Sequence, residues 1–353
     1  MHQMDRSGGS RVLLSLANYL SYNGIIVNMI VPKGNLLNTF DIASNIKIIE
    51  KGITFRKKND IISFLKTLSL VFFIPRGDFI IFSYFSCAYP VIFAKKFLFN
   101  KSKIIYFVQG NEELAFGEYA KRFKNIRKLL VRISLKFDFT FFSNSKYIQQ
   151  FLIDQYNKNS IIAYPGIEEE VFKYHHRNFE YVANSILVIG SDHINKGWDM
   201  IVNTLKELNN IRKDFIVNVI SKNLNGLEFL ERRVNWLKPK DDFDLFNIYK
   251  SNKLFFSTSR NEGFGLPVLE AMAIGTPVVS TDSLGVRDLI IDKVNGLIIR
   301  YGNYLDAAKT IDFLFNNPLI LNDFAAAASN YSKKFTWEKC TQQFYNYLTN
   351  MTK

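Results

Sequence analysis

Apolar and polar positions along this chain switch between two periods. Over residues 10–23 (SRVLLSLANYLSYN) the apolar positions recur at helical spacing and Gly24 suits the cap of such a helix, while 25–31 is a β-branched run stopped by Pro32. The exchange repeats down the chain. Strands are predicted at 46–50, 79–83, 104–109, 139–143 and 160–163, and after "YPGIEEEVF" the alternation restarts at 185–189. A helix over 197–209 follows, with further strands at 215–221, 233–236, 254–257, 277–280 and 296–299. Strands alternating with helices predict α/β architecture: two doubly wound domains in tandem, 1–165 and 166–335, with Pro165-Gly166 as linker. Segment 336–353 is expected as a closing helix packing back toward the first domain. In such domains ligands bind outside the carboxyl ends of the strands, so a cleft between the two is the expected site.

The beginning departs from this pattern. A doubly wound domain opens with a strand feeding its first glycine turn, yet Gly8-Gly9 follows only seven residues, largely polar. The first strand of the N-terminal domain is therefore missing from the pattern, and the expectation is a chain that starts inside a longer reading frame or has been truncated.

Composition narrows the partners. The 353 residues carry a formal charge of +13, which favours anions: nucleic acid, an acidic lipid leaflet or phosphorylated small molecules. Cys87 and Cys340 stand far apart, outside any metal-ligand spacing, which suits a reducing compartment and supports neither structural zinc nor a disulfide framework. The N-terminus lacks the apolar core of a secretory signal. The most apolar stretch, 79–94, is shorter than the roughly 20 residues that span a bilayer and reads as a buried strand followed by a buried helix.

Two loops carry candidate chemistry. In "LVIGSDHINKGWDMIVNTL" a strand runs through Gly190 and Ser191 to Lys196-Gly197 at the mouth of a helix, where free N–H groups favour a diphosphate; taken alone the motif reads first as a surface lysine at a helix start, and its place after a restarted strand shifts the reading toward the diphosphate. In "RNEGFGLPVLEAMAIGTPVVS" a strand delivers Arg260 and Glu262 into a turn whose Gly263 and Gly265 let backbone approach a ligand. Phe264 and Leu266 offer main-chain groups there, and Pro267 opens a helix that carries Glu270. Carboxylates accept hydrogen bonds from vicinal hydroxyls, so sugar rings suit Glu262 and Glu270; the alternative for Glu270 is a helix-dipole role. Of the histidines, His175-His176 follow the linker and His2 is terminal, while His193 lies in the phosphate loop.

"EGFGLPVLEAMAIGTPVVSTD", "GVRDLI" and "VNGLII" resemble the donor-site core of the retaining glycosyltransferases of family 4. Most of the remaining chain resembles the same family, through "GGSRVLLSLANYLSYNG", "FFSNSKYIQQFL", "YPGIEEEVF" and "FTWEKCTQQFYNYL". The resemblance implies the GT-B fold, with the first domain binding the acceptor and the second a nucleotide sugar. It implies that Glu262 binds donor-sugar hydroxyls, that Phe264, Gly265 and Leu266 hold them through backbone, that Glu270 takes the ribose and that Lys196 neutralises the diphosphate. No bound metal and no cofactor beyond the nucleotide sugar is implied. Two positions depart from the family. Ser191 stands where arginine is usual, which leaves Arg260 or another cation to compensate. Gln109 stands where many relatives carry histidine, followed by Asn111 and Glu112; with Gly8 and Gly9 these form the expected acceptor side.

The function implied is sugar transfer with retention to a carbohydrate or lipid-linked acceptor in surface glycan synthesis, in the cytoplasm. Alternatives are a sugar-nucleotide epimerase or hydrolase and a non-catalytic partner subunit. Nucleic-acid binding has charge alone behind it, with no recognition motif. Residues 118–136 (EYAKRFKNIRKLLVRISLK) hold seven basic residues against one glutamate. Tyr119, Phe123, Ile126, Leu130 and Ile133 share a face that reads as core, with the charges solvated; the sharper expectation is contact with the anionic inner leaflet of the plasma membrane.

Overall fold

The computed structural model describes residues 8–34, 42–53, 60–115, 124–174, 179, 183–221 and 224–352. His2, His175, His176, Tyr119 and Phe123 lie outside them. The chain divides into two compact units, Met1–Gly166 with Trp337–Lys353, and Ile167–Thr336.

The first unit contains α1 (Gly8–Tyr22), β1 (Asn28–Pro32), β2 (Lys47–Lys51), α2 (Asp60–Leu68), β3 (Phe79–Phe82), α3 (Phe85–Phe97) and β4 (Lys103–Val108). It continues through α4 (Glu112–Ala115), α5 (Lys124–Lys136), β5 (Thr140–Ser143), α6 (Lys146–Tyr156) and β6 (Ser160–Ile162). The second unit follows with β7 (Ser185–Ile189), α7 (Trp198–Ile211), β8 (Ile216–Ile220), β9 (Val234–Leu237), α8 (Asp242–Ser251) and β10 (Leu254–Ser257). It ends with α9 (Leu266–Ile274), β11 (Val278–Thr281), β12 (Leu297–Ile299), α10 (Tyr304–Asn316) and α11 (Pro318–Ser332); α12 (Trp337–Thr352) returns to the first unit.

All strand pairs among the described residues are parallel. The second unit holds one six-stranded sheet in the order β12-β11-β10-β7-β8-β9. The chain leaves the central β7 toward β8 and β9, then crosses back to β10 on its other side. This reversal makes β7 and β10 the switch point, whose carboxyl ends flank a crevice. Ile186, Val188, Val217, Val219 and Phe256 are buried beneath α7 and α10, as expected of strands covered by helices.

The first unit differs. Its strands form two sheets, β1-β2 and β3-β4-β5-β6. Among the described residues no strand joins the facing edges of β1 and β3, and a largely apolar slot of about 410 Å³ lies there, lined by Leu16, Leu20, Met29, Ile30, Ile80 and Phe82 among others. Its position corresponds to that of β7 in the second sheet. α12 packs on α1, with the Tyr19 hydroxyl 2.6 Å from Gln342 Oε1, and Phe344 stacks on Phe142 with ring centroids 3.9 Å apart.

One expectation about residues 118–136 is corrected. Val131 and Leu135 of α5 are buried in the core with α3, whereas Ile126 (54% exposed) and Ile133 (36% exposed) face outward beside Leu129. The core stripe is thus displaced from the one read in the sequence. Leu130, half-buried, sits at its edge, and its carbonyl accepts from the Tyr89 hydroxyl at 2.6 Å.

Candidate functional site

The switch point of the second sheet gathers both loops singled out in the sequence. After β7 the chain passes Gly190 and Ser191, makes a short 3-10 turn over Ile194–Lys196 and enters α7 through Gly197. After β10 it runs through Ser259, Arg260 and Glu262 to Gly265, the N-cap of α9, with Pro267 in the first turn. The two loops are sewn together by Arg260 N–H donating to Asn195 O (2.8 Å) and Thr258 Oγ1 donating to Lys196 O (3.0 Å). Gly197 permits this approach. Its φ is +64°, and a Cβ there would stand 2.0 Å from Thr258 O. On the opposite side Glu262 N–H donates to Ser283 O (3.0 Å), and Gly285 lies so close that a Cβ would be 2.5 Å from Glu262 O. "GVRD" thereby forms a backstop for the glutamate turn.

Lys196 and Glu262 meet at the centre. Lys196 Nζ is 2.6 Å from Glu262 Oε1, and Ser259 Oγ donates to the same oxygen at 2.6 Å. A pocket of about 70 Å³ lies beside the pair, lined by Ser191, Lys196, Thr258, Ser259, Glu262 and Gly265 among others. An ammonium and a carboxylate side by side, both within reach of solvent, can part to bind a diphosphate and a hydroxylated ring respectively.

Around this centre the predicted residues take different positions. Glu270 is 6% exposed on α9, and its Oε2 accepts from the Tyr249 hydroxyl at 3.0 Å. Arg260 pairs with Asp199 on the first turn of α7 (2.9 Å) and its Nε donates to the Tyr301 hydroxyl (2.9 Å), which itself donates to Asp199 at 2.6 Å. Burial, with Asp199 second, raises the Tyr301 phenol and keeps it a donor. The Arg260 charge is therefore answered by Asp199. Ser191 Oγ accepts from His193 N–H at 3.1 Å, and His193 Nδ1 accepts from Asn195 N–H at 3.3 Å. Burial, helped by Lys196, lowers the His193 pKa and so favours its neutral imidazole. Phe264 is buried, edge-on to Phe335 at 5.6 Å.

The first-unit candidates cluster at the carboxyl end of β4. Gln109 Nε2 donates to Gly9 O (3.3 Å), joining the glycine pair that opens α1 to the loop after β4, and Asn144 Nδ2 donates to Gln109 O (2.7 Å). Asn111 caps α4 by accepting from Leu114 N–H (3.2 Å). Glu112 faces inward. It accepts from Phe85 N–H (3.3 Å) at the start of α3 and lies 3.4 Å from the Tyr106 hydroxyl. Burial pushes its carboxyl up to about 8. Among the described residues no group of three or more His, Cys, Asp or Glu is placed to hold a metal ion.

Ser259 was legible as a member of the turn, without a role; Tyr249, Asp199, Tyr301 and Ser283 were not picked out by sequence, because they act across separations of 21 to 102 residues.

Two Rossmann-like α/β units with parallel sheets place the chain in the GT-B class of fold. Residues 180–335 match the family described as glycosyl transferases group 1. An uncharacterized glycosyltransferase of Methanocaldococcus jannaschii is 28% identical over 206 residues, 56% of this chain and 55% of its own. The chain spans about half the length of the first curated relatives it matches. Sucrose-phosphate synthase from Thermosynechococcus elongatus superposes with a TM-score of 0.80 at 15% identity, over 98% of this chain and 94% of that one. Anabaena HepE, solved with UDP-glucose, gives 0.75 at 16% identity, over 99% and 97%.

Proposed function

We propose that this protein is a retaining glycosyltransferase that moves a hexosyl group from a nucleotide-diphosphate sugar to a carbohydrate or lipid-linked acceptor in surface glycan synthesis. The observation that carries the reading is the Lys196–Glu262 pair, 2.6 Å apart where β7 and β10 diverge, within the segment that matches the glycosyl transferases group 1 family. In this reading the incoming diphosphate displaces Glu262 from Lys196 and is held by the ammonium and the N-terminus of α7. Glu262, released, accepts from the sugar hydroxyls while Phe264, Gly265 and Leu266 present backbone to the ring. Glu270, oriented by Tyr249, takes the ribose. The reaction asks for stabilisation of a departing diphosphate and an oxocarbenium-like sugar, which fixed charges supply without a protein nucleophile. The transfer proceeds without a bound metal, so activity is expected to survive a chelator. Gln109, Asn111 and Glu112, with Gly8 and Gly9, serve the acceptor, and the basic outer face of α5 contacts an anionic leaflet from the cytoplasmic side. A screen of nucleotide sugars with mass-spectrometric detection of products tests this. Transfer or slow hydrolysis of one donor, lost in Lys196→Ala, is expected; no binding of any donor by calorimetry would overturn it.

One observation favours a second reading, a non-catalytic partner subunit. Ser191 offers a hydroxyl already engaged by His193 N–H, and Arg260 is tied to Asp199, so Lys196 is the one cation lining the described pocket. Donor binding without turnover, in the presence of varied acceptors, would select that reading.

A further inference from the structure

The amino end of the first-unit sheet, opposite the strand ends that carry Gln109, presents exposed aromatic rings. In "FAKKFLFNKSK" (residues 93–103) the last turn of α3 and the turn into β4 carry Phe93 (40% exposed), Phe97 (61%), Leu98 (37%) and Phe99 (77%). Phe93 and Phe97 lie against each other with centroids 4.5 Å apart. Phe99 has φ +52°, a left-handed conformation that helix ends normally reserve for glycine and that costs a bulky residue strain. Strain spent to hold a large ring in water is unexplained by packing, because the ring has little to pack on.

The charges point the same way. Lys95, Lys96, Lys101 and Lys103 are all exposed, and no acidic residue occurs between 93 and 103. Arg76, from the turn ahead of β3, shares with Phe99 and Lys101 a hollow of about 310 Å³. That turn is fixed to the next by Ser102 Oγ donating to Gly77 O (2.5 Å) and Asn100 Nδ2 donating to Pro75 O (3.2 Å). Among the described residues Asp78, Asp138 and, toward the far edge at the end of α6, Asp154 are exposed acids at this end of the sheet, and Lys136 lies there too. Lysines at the end of α3 also suit its dipole, but the dipole gives no reason for the rings.

We propose that this patch is a docking surface for an anionic bilayer, with Phe97 and Phe99 entering the acyl boundary while Arg76, Lys95, Lys96 and Lys101 meet lipid phosphates. Rings flanked by cations are the chemistry that a charged membrane interface recognises. A second copy of the chain is a poor occupant, since two such patches would oppose like charges. The surface is separate from the outer face of α5 and independent of sugar transfer.

Vesicle co-sedimentation of the full chain tests it, using phosphatidylcholine with and without phosphatidylglycerol. Binding is expected only with the anionic lipid and weakens with salt, each basic residue at the leaflet contributing about fivefold. Phe97→Ser with Phe99→Gly is expected to lower partitioning at least tenfold. Because glycine relieves the left-handed strain at 99, the melting temperature should hold or rise, which separates lost docking from lost fold. In Phe97→Trp the emission should shift to the blue on adding anionic vesicles. Unchanged partitioning of the double variant would overturn the proposal, and a loss seen only in Ile126→Ser with Leu129→Ser would assign the leaflet contact to α5 alone. Concentration-dependent dimers lost in the ring variant, or tighter binding to duplex DNA than to vesicles, would assign the patch to another partner.

Discussion

Gly197→Ala probes the joint on which the candidate site depends. At φ +64° an alanine costs roughly 1–2 kcal/mol relative to glycine. Its Cβ would also stand 2.0 Å from Thr258 O and 3.0 Å from a Tyr301 ring carbon, so the loops after β7 and β10 must separate. That separation weakens the Arg260 N–H to Asn195 O and Thr258 Oγ1 to Lys196 O bonds, each worth about 1 kcal/mol. The sum is about 3–4 kcal/mol. Gly302→Ala is the control from the same unit: φ is +86° with nothing within 4 Å of the Cβ, so only the conformational part applies. Urea unfolding followed by tryptophan fluorescence should give a midpoint for Gly197→Ala well below that of Gly302→Ala, at similar slopes. Nucleotide-diphosphate binding should fall in the first variant and persist in the second. Equal midpoints would show that the close approach of the two loops contributes nothing to stability.

Three further outcomes are expected. Tyr249→Phe removes the donor to buried Glu270 Oε2 and should cost about 1–3 kcal/mol, read from the urea midpoint, with a larger loss in nucleotide affinity than in affinity for a sugar alone. Asp199→Asn should cost under about 1 kcal/mol, as its pair with Arg260 is partly exposed, while freeing the guanidinium and tightening diphosphate binding at low salt; unchanged affinity in titration calorimetry would show that Asp199 does not sequester Arg260. Glu112 holds its proton in the folded state up to about pH 8, so the stability linked to it is fully present below the ordinary carboxylate range and lost as pH rises through about 8. Glu112→Gln keeps the group neutral and should flatten that decline in melting temperature between pH 5 and 9.

The elements were legible where period and punctuation agreed. The strands predicted at 185–189 and 254–257 coincide with β7 and β10, because β-branched and aromatic runs there are buried on both faces. Both loops of the site were legible as well, since glycine and proline mark where backbone must turn and each follows a strand directly. Other features were hidden for definable reasons. The apolar face of α5 was read one step off because Ile126 and Ile133 have helical spacing with Leu130 but face water, and only packing against α3 shows that Val131 and Leu135 point inward. The slot between β1 and β3 depends on tertiary placement, which no local period reports. Tyr249, Asp199 and Tyr301 left no local trace, because a hydrogen bond across 21 to 102 residues has no period.

The most direct measurement is titration calorimetry of nucleotide-diphosphate sugars into the full chain beside Lys196→Ala and Glu262→Ala. At least one donor is expected to bind, Lys196→Ala to remove binding of both the sugar nucleotide and the bare nucleoside diphosphate, and Glu262→Ala to weaken the former while sparing the latter. Equal binding of all three proteins to that donor would contradict the roles given to Lys196 and Glu262.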